Sequence, residues 1–228
     1  MRVRRQRDLI ELVKVHPWRV DVPGQGAWQS VWPEEIKKPL HLEVGSGRGG
    51  FLLGMALKKP DVRFLGLEKV PEVAFRACQK LANQKISNAR LVVEDAQDLR
   101  SLFAPGEVDR IYLNFSDPWP KNRYAKRRLT HRNFLVQYHG VLAAGGSIHF
   151  KTDNRGLFEF SLNEFSELGL IMKNISLDLH ANEPEDNVRT EYETKFSGLG
   201  FPIFRVEVSF PENWQWTGLK EKNQSLQK

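Results

Sequence analysis

Apolar positions fall into two alternating periods along the chain. Leu40-His41-Leu42-Glu43-Val44 reads as a short strand that stops at Gly45-Ser46-Gly47-Arg48-Gly49-Gly50. Phe51–Lys58 follows as a helix stopped by Pro60, and Val62–Leu67 as a second strand ending at Glu68. Over Pro71–Lys85, Val73, Ala74, Ala77, Cys78 and Leu81 recur at helical spacing, with Pro71 suited to a first turn. Ala89–Val93 is a third strand ending at Glu94-Asp95, and Arg110–Phe115 a fourth ending at Ser116-Asp117-Pro118-Trp119-Pro120. A helix over Thr130–Leu142 puts Phe134, Leu135, Tyr138, Val141 and Leu142 on one face. Gly145-Gly146 leads into a fifth strand, Ser147–Phe150, which ends at Lys151-Thr152-Asp153; Gly156–Leu168 is a further helix. Ile171–Leu177 and Ile203–Phe210 complete the strands.

This alternation predicts an α/β fold, a mostly parallel sheet with helices on both faces. Right-handed crossovers bring the carboxyl ends of parallel strands to one edge, where ligands bind. The residues at the strand ends should therefore gather. Residues 14–39 carry Pro17, Pro23, Pro33 and Pro39 with Gly24 and Gly26, an irregular arm that Trp18, Trp28 and Trp32 would pin to the body.

Length and composition change little in this picture. A 228-residue chain with 40% apolar and 27% charged residues is globular. Its single cysteine, Cys78, allows no internal disulfide, and on its helical face reads as core rather than nucleophile. No apolar run approaches the roughly 20 residues that span a bilayer, which together with the lone cysteine suggests the cytoplasm. None of the six histidines pairs with a second ligand type at zinc-binding spacing, so no metal is expected. His149, inside a strand, reads as a hydrogen-bonded interior residue.

Charge is more informative. The net +6 is local: Arg2, Arg4, Arg5 and Arg7 crowd the start, and Lys121, Arg123, Lys126, Arg127, Arg128 and Arg132 lie in an acid-free run. The rest of the chain has 24 basic against 28 acidic residues. Two basic clusters on a faintly acidic body point to a polyanion held at particular places.

Gly45-x-Gly47-x-x-Gly50 matches a dinucleotide loop and equally the first loop of S-adenosylmethionine-dependent methyltransferases. Glu43, two residues before it, would repel a pyrophosphate but suits a ligand carrying an ammonium and a sulfonium. Glu68 at the second strand end can accept two ribose hydroxyls, and Asp95 at the third an adenine amino group. Three acids at three strand ends favour S-adenosylmethionine over NAD, although each could instead be a helix cap. The Asp117-Pro118-Trp119-Pro120 turn presents Asp117 at the sheet edge and joins the cofactor loop to the basic run.

LEVGSGRG (42–49), SDPWPKNRYAKRRL (116–129), GSIHFKTDN (146–154) and TEYETKF (190–196) together resemble the bacterial tRNA (guanine-N7-)-methyltransferases, over about residues 40–210. The resemblance implies a Rossmann-like class I methyltransferase fold with a seven-stranded sheet, S-adenosylmethionine as methyl donor and tRNA as partner. It implies a methyltransferase domain over 40–210, between a basic arm (1–39) and a tail (211–228). Glu43, Gly45, Gly47, Glu68, Asp95 and Asp117 would surround the donor, and Asp117 is the residue expected to serve the chemical step. Lys121, Asp153, Thr190, Tyr192 and Glu193 would meet the substrate nucleotide, while Arg123, Lys126, Arg127 and Arg128 would hold RNA. The target would be a variable-loop guanosine. Tyr124 stands where the family usually has histidine, and the resemblance assigns nothing to Trp214, Trp216 and Lys220. Two other readings compete: an NAD-dependent oxidoreductase and a nonenzymatic RNA-binding protein. Monomer and homodimer both stay open.

Overall fold

The computed structural model describes residues 2–32, 38–216 and 218, with residues 2–7 described by their backbone only. The side chains of Arg2, Arg4, Arg5 and Arg7, as well as Pro33 and Lys220, therefore lie outside the described residues.

Seven strands form one sheet in the order β3-β2-β1-β4-β5-β7-β6. They are β1 (Leu40–Val44), β2 (Arg63–Leu67), β3 (Ala89–Val92), β4 (Val108–Asn114), β5 (Leu142–Thr152), β6 (Ile171–Ser176) and β7 (Phe204–Ser209). The ladders β1–β2, β2–β3, β1–β4 and β4–β5 are parallel, whereas β7 runs antiparallel to both β5 and β6. The sheet winds outward in both directions from the β1–β4 pair. At such a reversal the two flanking crossovers diverge and leave a crevice beyond the strand ends.

The helices are α1 (Arg2–Lys14), α2 (Gly50–Lys58), α3 (Pro71–Asn83), α4 (Leu99–Leu102), α5 (Arg132–Val141), α6 (Arg155–Glu167) and α7 (Glu191–Ser197). Two apolar cores lie on the two sheet faces. One gathers Leu42, Val44, Ile111, Leu113, Leu135, Tyr138, Phe150, Phe158 and Phe165; the other gathers Phe51, Leu52, Phe64, Ala74, Cys78, Leu81 and Tyr112. The alternation of successive strand residues between faces separates Ile111 and Leu113 from Tyr112. Cys78 is fully buried, and burial pushes its thiol up to about 12.

Among its described residues, 15–32 and 38–39, the arm is irregular apart from a 3₁₀ turn over Trp28–Val31, and three indoles fasten it. Trp18, Trp28 and Trp32 donate from Nε1 to the carbonyls of Ile86 (2.6 Å), Leu102 (2.8 Å) and Ser87 (3.2 Å). Glu107 accepts the amides of Gly26, Trp28 and Ala104, so one carboxylate satisfies three loop donors. Element ends differ from the sequence pattern at β5, which begins at Leu142 rather than Ser147 and passes through Gly145 at φ +75°. Two short helices, α4 and α7, lie outside the strand–helix alternation read from the sequence.

Candidate functional site

The crevice at the carboxyl edge of the sheet is a cavity of about 900 Å³. That is within the range of small-molecule sites. Its walls include Gly45 after β1, Glu68 after β2, Asp95 after β3, Asn114 at the end of β4 with Phe115 to Asp117 and Trp119 after it, and Lys126 and Arg127 beyond. Residues far apart in sequence thus meet because parallel strands end on one edge.

The glycine loop is tied across the sheet. The amides of Gly45 and Ser46 donate to the Leu67 carbonyl at 2.8 and 3.0 Å, and that of Gly47 to Glu68 Oε2 at 3.0 Å. Gly45, Gly47 and Gly49 all have positive φ, and a Cβ on Gly49 would stand 2.7 Å from that of Ala77. Glycine at 49 therefore allows α3 to approach the loop. The three tied amides are unavailable to a pyrophosphate, which disfavours the dinucleotide reading.

Glu43 lies on β1 before this loop, wholly buried. Its Oε1 accepts from Asn114 Nδ2 at 3.0 Å, while Oε2 has no partner. Burial raises its carboxyl to about 8, with Asn114 and Lys151 pulling the other way. Glu68 is nearly buried and caps the next segment as well, Oε1 accepting from the Val70 amide at 3.0 Å. Asp95 combines both readings open to it: it lines the cavity, and it caps a 3₁₀ turn by accepting from the Gln97 amide at 3.2 Å. Glu43 is buried behind the cavity and is not among the residues that line it. Glu68 and Asp95 do line it, and with its mixed apolar wall they fit the hydroxyl-bearing and amino-bearing parts of S-adenosylmethionine.

The segment after β4 is strained. Phe115 at φ +52° and Trp119 at φ +41° are bulky residues in the left-handed region. Such conformations cost on the order of 1–3 kcal/mol each and cluster at functional sites. Between them Asp117 is exposed, and among the described residues its carboxylate has no hydrogen-bond or ion-pair partner. Ser116 Oγ is buried beside it without a partner.

The basic run divides by face. Lys121, Arg123, Lys126 and Arg127 are exposed. Arg127 lies 5.0 Å from the Trp119 ring and 4.9 Å from the Tyr124 ring, and Arg123 sits 4.8 Å from the Tyr124 ring. Tyr124, in the place where histidine is usual, thus supports two guanidiniums. Arg128 is instead buried at 8% exposure, its guanidinium bonded to the carbonyls of Pro118 and Trp119. Arg132 is engaged by Glu164, at 2.5 Å, and by Glu167, at 2.6 Å. Sequence reasoning grouped Arg128 with the exposed strip; nothing local in an all-basic run distinguishes the residue that turns inward.

A second group borders the site. Thr190 caps α7 in a reciprocal box with Glu193: the Glu193 amide donates to Thr190 Oγ1 at 2.8 Å, and the Thr190 amide to Glu193 Oε2 at 3.3 Å. The Thr-x-x-Glu spacing carried that signal in the sequence. Glu193 is fully buried and also meets Lys151 Nζ at 2.7 Å, His180 Nε2 at 3.0 Å and Asn187 Nδ2 at 3.1 Å. Burial alone would raise its carboxyl; Lys151 and these donors hold it below the usual range. Glu193 therefore stands inside the fold, and Tyr192 on the same turn faces out, its hydroxyl donating to Asp153 Oδ2 at 3.2 Å. Lys151, which sequence reasoning passed over, joins the two parts. His180, Glu183 and Glu193 bring ligand atoms within 4.8 Å of one another. Lys151 and Arg189 already neutralise those two carboxylates. His149 is mostly buried, 3.6 Å from Glu207, and burial lowers its imidazole to about 2.

A family model described as a putative methyltransferase matches residues 37–206. A tRNA (guanine-N(7)-)-methyltransferase of Exiguobacterium sp. (strain ATCC BAA-1283 / AT1b) is 54% identical over 83% of this chain and 87% of its own. Relatives of the same name from Lysinibacillus sphaericus (strain C3-41) and Bacillus subtilis (strain 168) are 50% and 52% identical, over 92% and 82% of this chain and 98% and 86% of theirs. An antibiotic-related methyltransferase shares the fold at TM-score 0.60 and 18% identity, over 86% of this chain and 97% of its own. A SAM-dependent methyltransferase from Aquifex aeolicus does so at 0.51 and 13%, over 89% and 97%. With the fold, the strand-end acids and these relatives in agreement, the chain belongs to the tRNA (guanine-N(7)-)-methyltransferase family.

Proposed function

We propose that this protein transfers a methyl group from S-adenosylmethionine to N7 of a guanosine in tRNA, in the variable loop as the family resemblance implies. The observation that carries the reading is the sharing of one cavity by Glu68, Asp95 and Asp117 with Lys126 and Arg127. A donor pocket and a polyanion-binding rim open into the same space.

S-adenosylmethionine, when bound, supplies an electrophilic methyl on a sulfonium. Guanine N7 carries a lone pair and no proton, so no general base is needed. The protein's contribution is placement, which can supply about 7–11 kcal/mol of a barrier. The alkylated ring is cationic, and Asp117, unpaired at the cavity wall, is positioned to stabilise that charge as it forms. With N7 facing the donor, the N1–H and 2-amino donors of guanine remain for Asp153 and Tyr192. Such contacts require the base to leave its stack. Lys121, Arg123, Lys126 and Arg127 would hold phosphates.

An oxidoreductase reading fits less well, because the amides of Gly45, Ser46 and Gly47 are already donated within the fold. A tRNA substrate supports a cytoplasmic location; among the described residues no helix is long and apolar enough to cross a membrane. The test is incubation of the purified chain with unmodified tRNA and labelled S-adenosylmethionine, followed by nuclease digestion and mass spectrometry. The expected product is 7-methylguanosine at one position. Label at another atom, or none in tRNA, sinks the proposal.

A further inference from the structure

Pro118 and Trp119 present two carbonyls that their own turn does not satisfy. Pro120 has no amide hydrogen, and Trp119 is held at φ +41°. Both carbonyls are met from outside by one side chain. Arg128 Nε donates to Pro118 O at 3.1 Å, with a longer branch to Trp119 O at 3.4 Å, and Nη2 donates to Trp119 O at 3.0 Å. The carbon of the same guanidinium lies 4.2 Å from the ring centroid of Phe160 on α6. No carboxylate pairs with Arg128 among the described residues.

We propose that Arg128 is a positioning residue for methyl transfer: it clamps the Asp117-Pro118-Trp119 turn from beneath and makes no contact with RNA. This deepens the transfer reading given above and rests on it. Arg127 and Arg128 are adjacent, but Arg127 is exposed and Arg128 is buried. Arg127 lies over the Trp119 ring at the cavity wall, while Arg128 bonds the Trp119 backbone carbonyl. A planar fork can span two neighbouring carbonyls; an ammonium cannot reproduce that geometry. Without the fork, Trp119 relaxes from its left-handed conformation and takes with it the support of Arg127 and the aim of Asp117.

The test compares Arg128→Lys and Arg128→Gly with Arg127→Ala. For Arg128→Lys, single-turnover methylation at saturating tRNA and donor should fall by about 10–100-fold, the scale of a small misplacement of reacting groups. The salt dependence of its tRNA affinity should keep the wild-type slope, whereas Arg127→Ala should lose about 0.7–0.9 from that slope. Methylguanidinium should restore rate to Arg128→Gly and leave Arg128→Lys unmoved. The ¹⁹F resonance of 5-fluorotryptophan at Trp119 should shift in Arg128→Gly and return with methylguanidinium. A reduced salt slope with an unchanged saturated rate would make Arg128 an RNA contact and overturn the assignment. So would failure of both Arg128 variants to fold, or a lost rate without rescue, either of which makes Arg128 a general anchor. If wild-type protein transfers no methyl group, the transfer reading fails, while the fluorine signal still reports on the clamp.

Discussion

Lys151 Nζ and Glu193 Oε2 meet at 2.7 Å with both side chains almost closed to solvent, one at the end of β5 and the other in the first turn of α7. Lys151 also donates to Asn187 Oδ1 at 3.1 Å and Val188 O at 3.0 Å. One ammonium thus ties Asn187, Val188 and Glu193, on the connection that carries Tyr192, to the sheet. Tyr192 in turn bonds Asp153, two residues beyond Lys151 on the same strand end. The buried pair closes a loop of contacts whose exposed side is the surface proposed to read guanine.

Removing one partner of such a pair leaves an uncompensated buried charge, at a cost of about 3–5 kcal/mol. Lys151→Met should lose stability on that scale, and Lys151→Met with Glu193→Met should recover much of it. Chemical denaturation of the two proteins checks this; a Lys151→Met protein as stable as wild type would mean that the pair does not hold α7.

Glu43 yields a pH prediction with a definite sign. Its folded carboxyl titrates near 8 against an ordinary 4.5. Below pH 4.5 both folded and unfolded states are protonated, and the stability linked to this group is fully present. It is lost as pH rises towards 8, each pH unit of that interval being worth about 1.4 kcal/mol. Glu43→Gln should flatten this fall. An incoming ammonium would favour the ionised carboxylate, so donor binding at pH 7 should release a proton from the wild type and none from Glu43→Gln. Calorimetry in buffers of different ionisation enthalpy reads the difference directly; equal proton release in both proteins would place the ammonium elsewhere.

Much of this architecture was legible from the chain because it depends on local pattern. Glu68, Asp95 and Asp117 each follow an apolar run, and the parallel topology that such runs imply gathers their ends. The helix that Thr190 and Glu193 cap was not read from the chain, although their Thr-x-x-Glu spacing carried the signal. Arg128 and Arg132 were not separable from their basic neighbours. Their burial is decided by Phe160, Glu164 and Glu167, on a helix about thirty residues later. Lys151 was equally hidden, since its partners lie on a connection that returns from beyond β6. Where a charge is used depends on tertiary neighbours that no local period reveals.

The exposed basic residues should set RNA affinity, and the inward ones should not. On the proposed reading, replacing Arg123 and Arg127 together with alanine removes two phosphate contacts. The slope of log affinity against log salt should then fall by roughly 1.4–1.8 in magnitude. Arg132→Gln should leave that slope alone and lower the melting temperature, because Glu164 at 8% side-chain exposure loses its partner. Filter binding across a salt series distinguishes the two; a slope lowered by Arg132→Gln would mean that the helix-bound guanidinium also reaches RNA.

Asp117 bears on the chemistry itself. Its carboxylate could have served only to cap the turn that follows, but that turn begins at Lys121 and takes no side-chain cap bond, and Asp117 has no polar partner among the described residues. An unpaired carboxylate between two strained residues is an arrangement that folding alone does not require. Asp117→Asn keeps the shape and removes the charge. If the carboxylate stabilises the cationic ring, the single-turnover rate at saturating tRNA and donor should fall by about 10²–10³, the scale for losing one preorganised electrostatic partner. tRNA affinity should hold, because the proposal assigns its phosphates to Lys121, Arg123, Lys126 and Arg127. The melting temperature should hold as well, because no hydrogen bond is lost. Loss of rate together with loss of guanine selectivity would instead assign Asp117 to reading the N1–H edge. A folded variant transferring methyl at the wild-type rate would remove Asp117 from the chemical step and leave placement by the clamped turn as the source of catalysis.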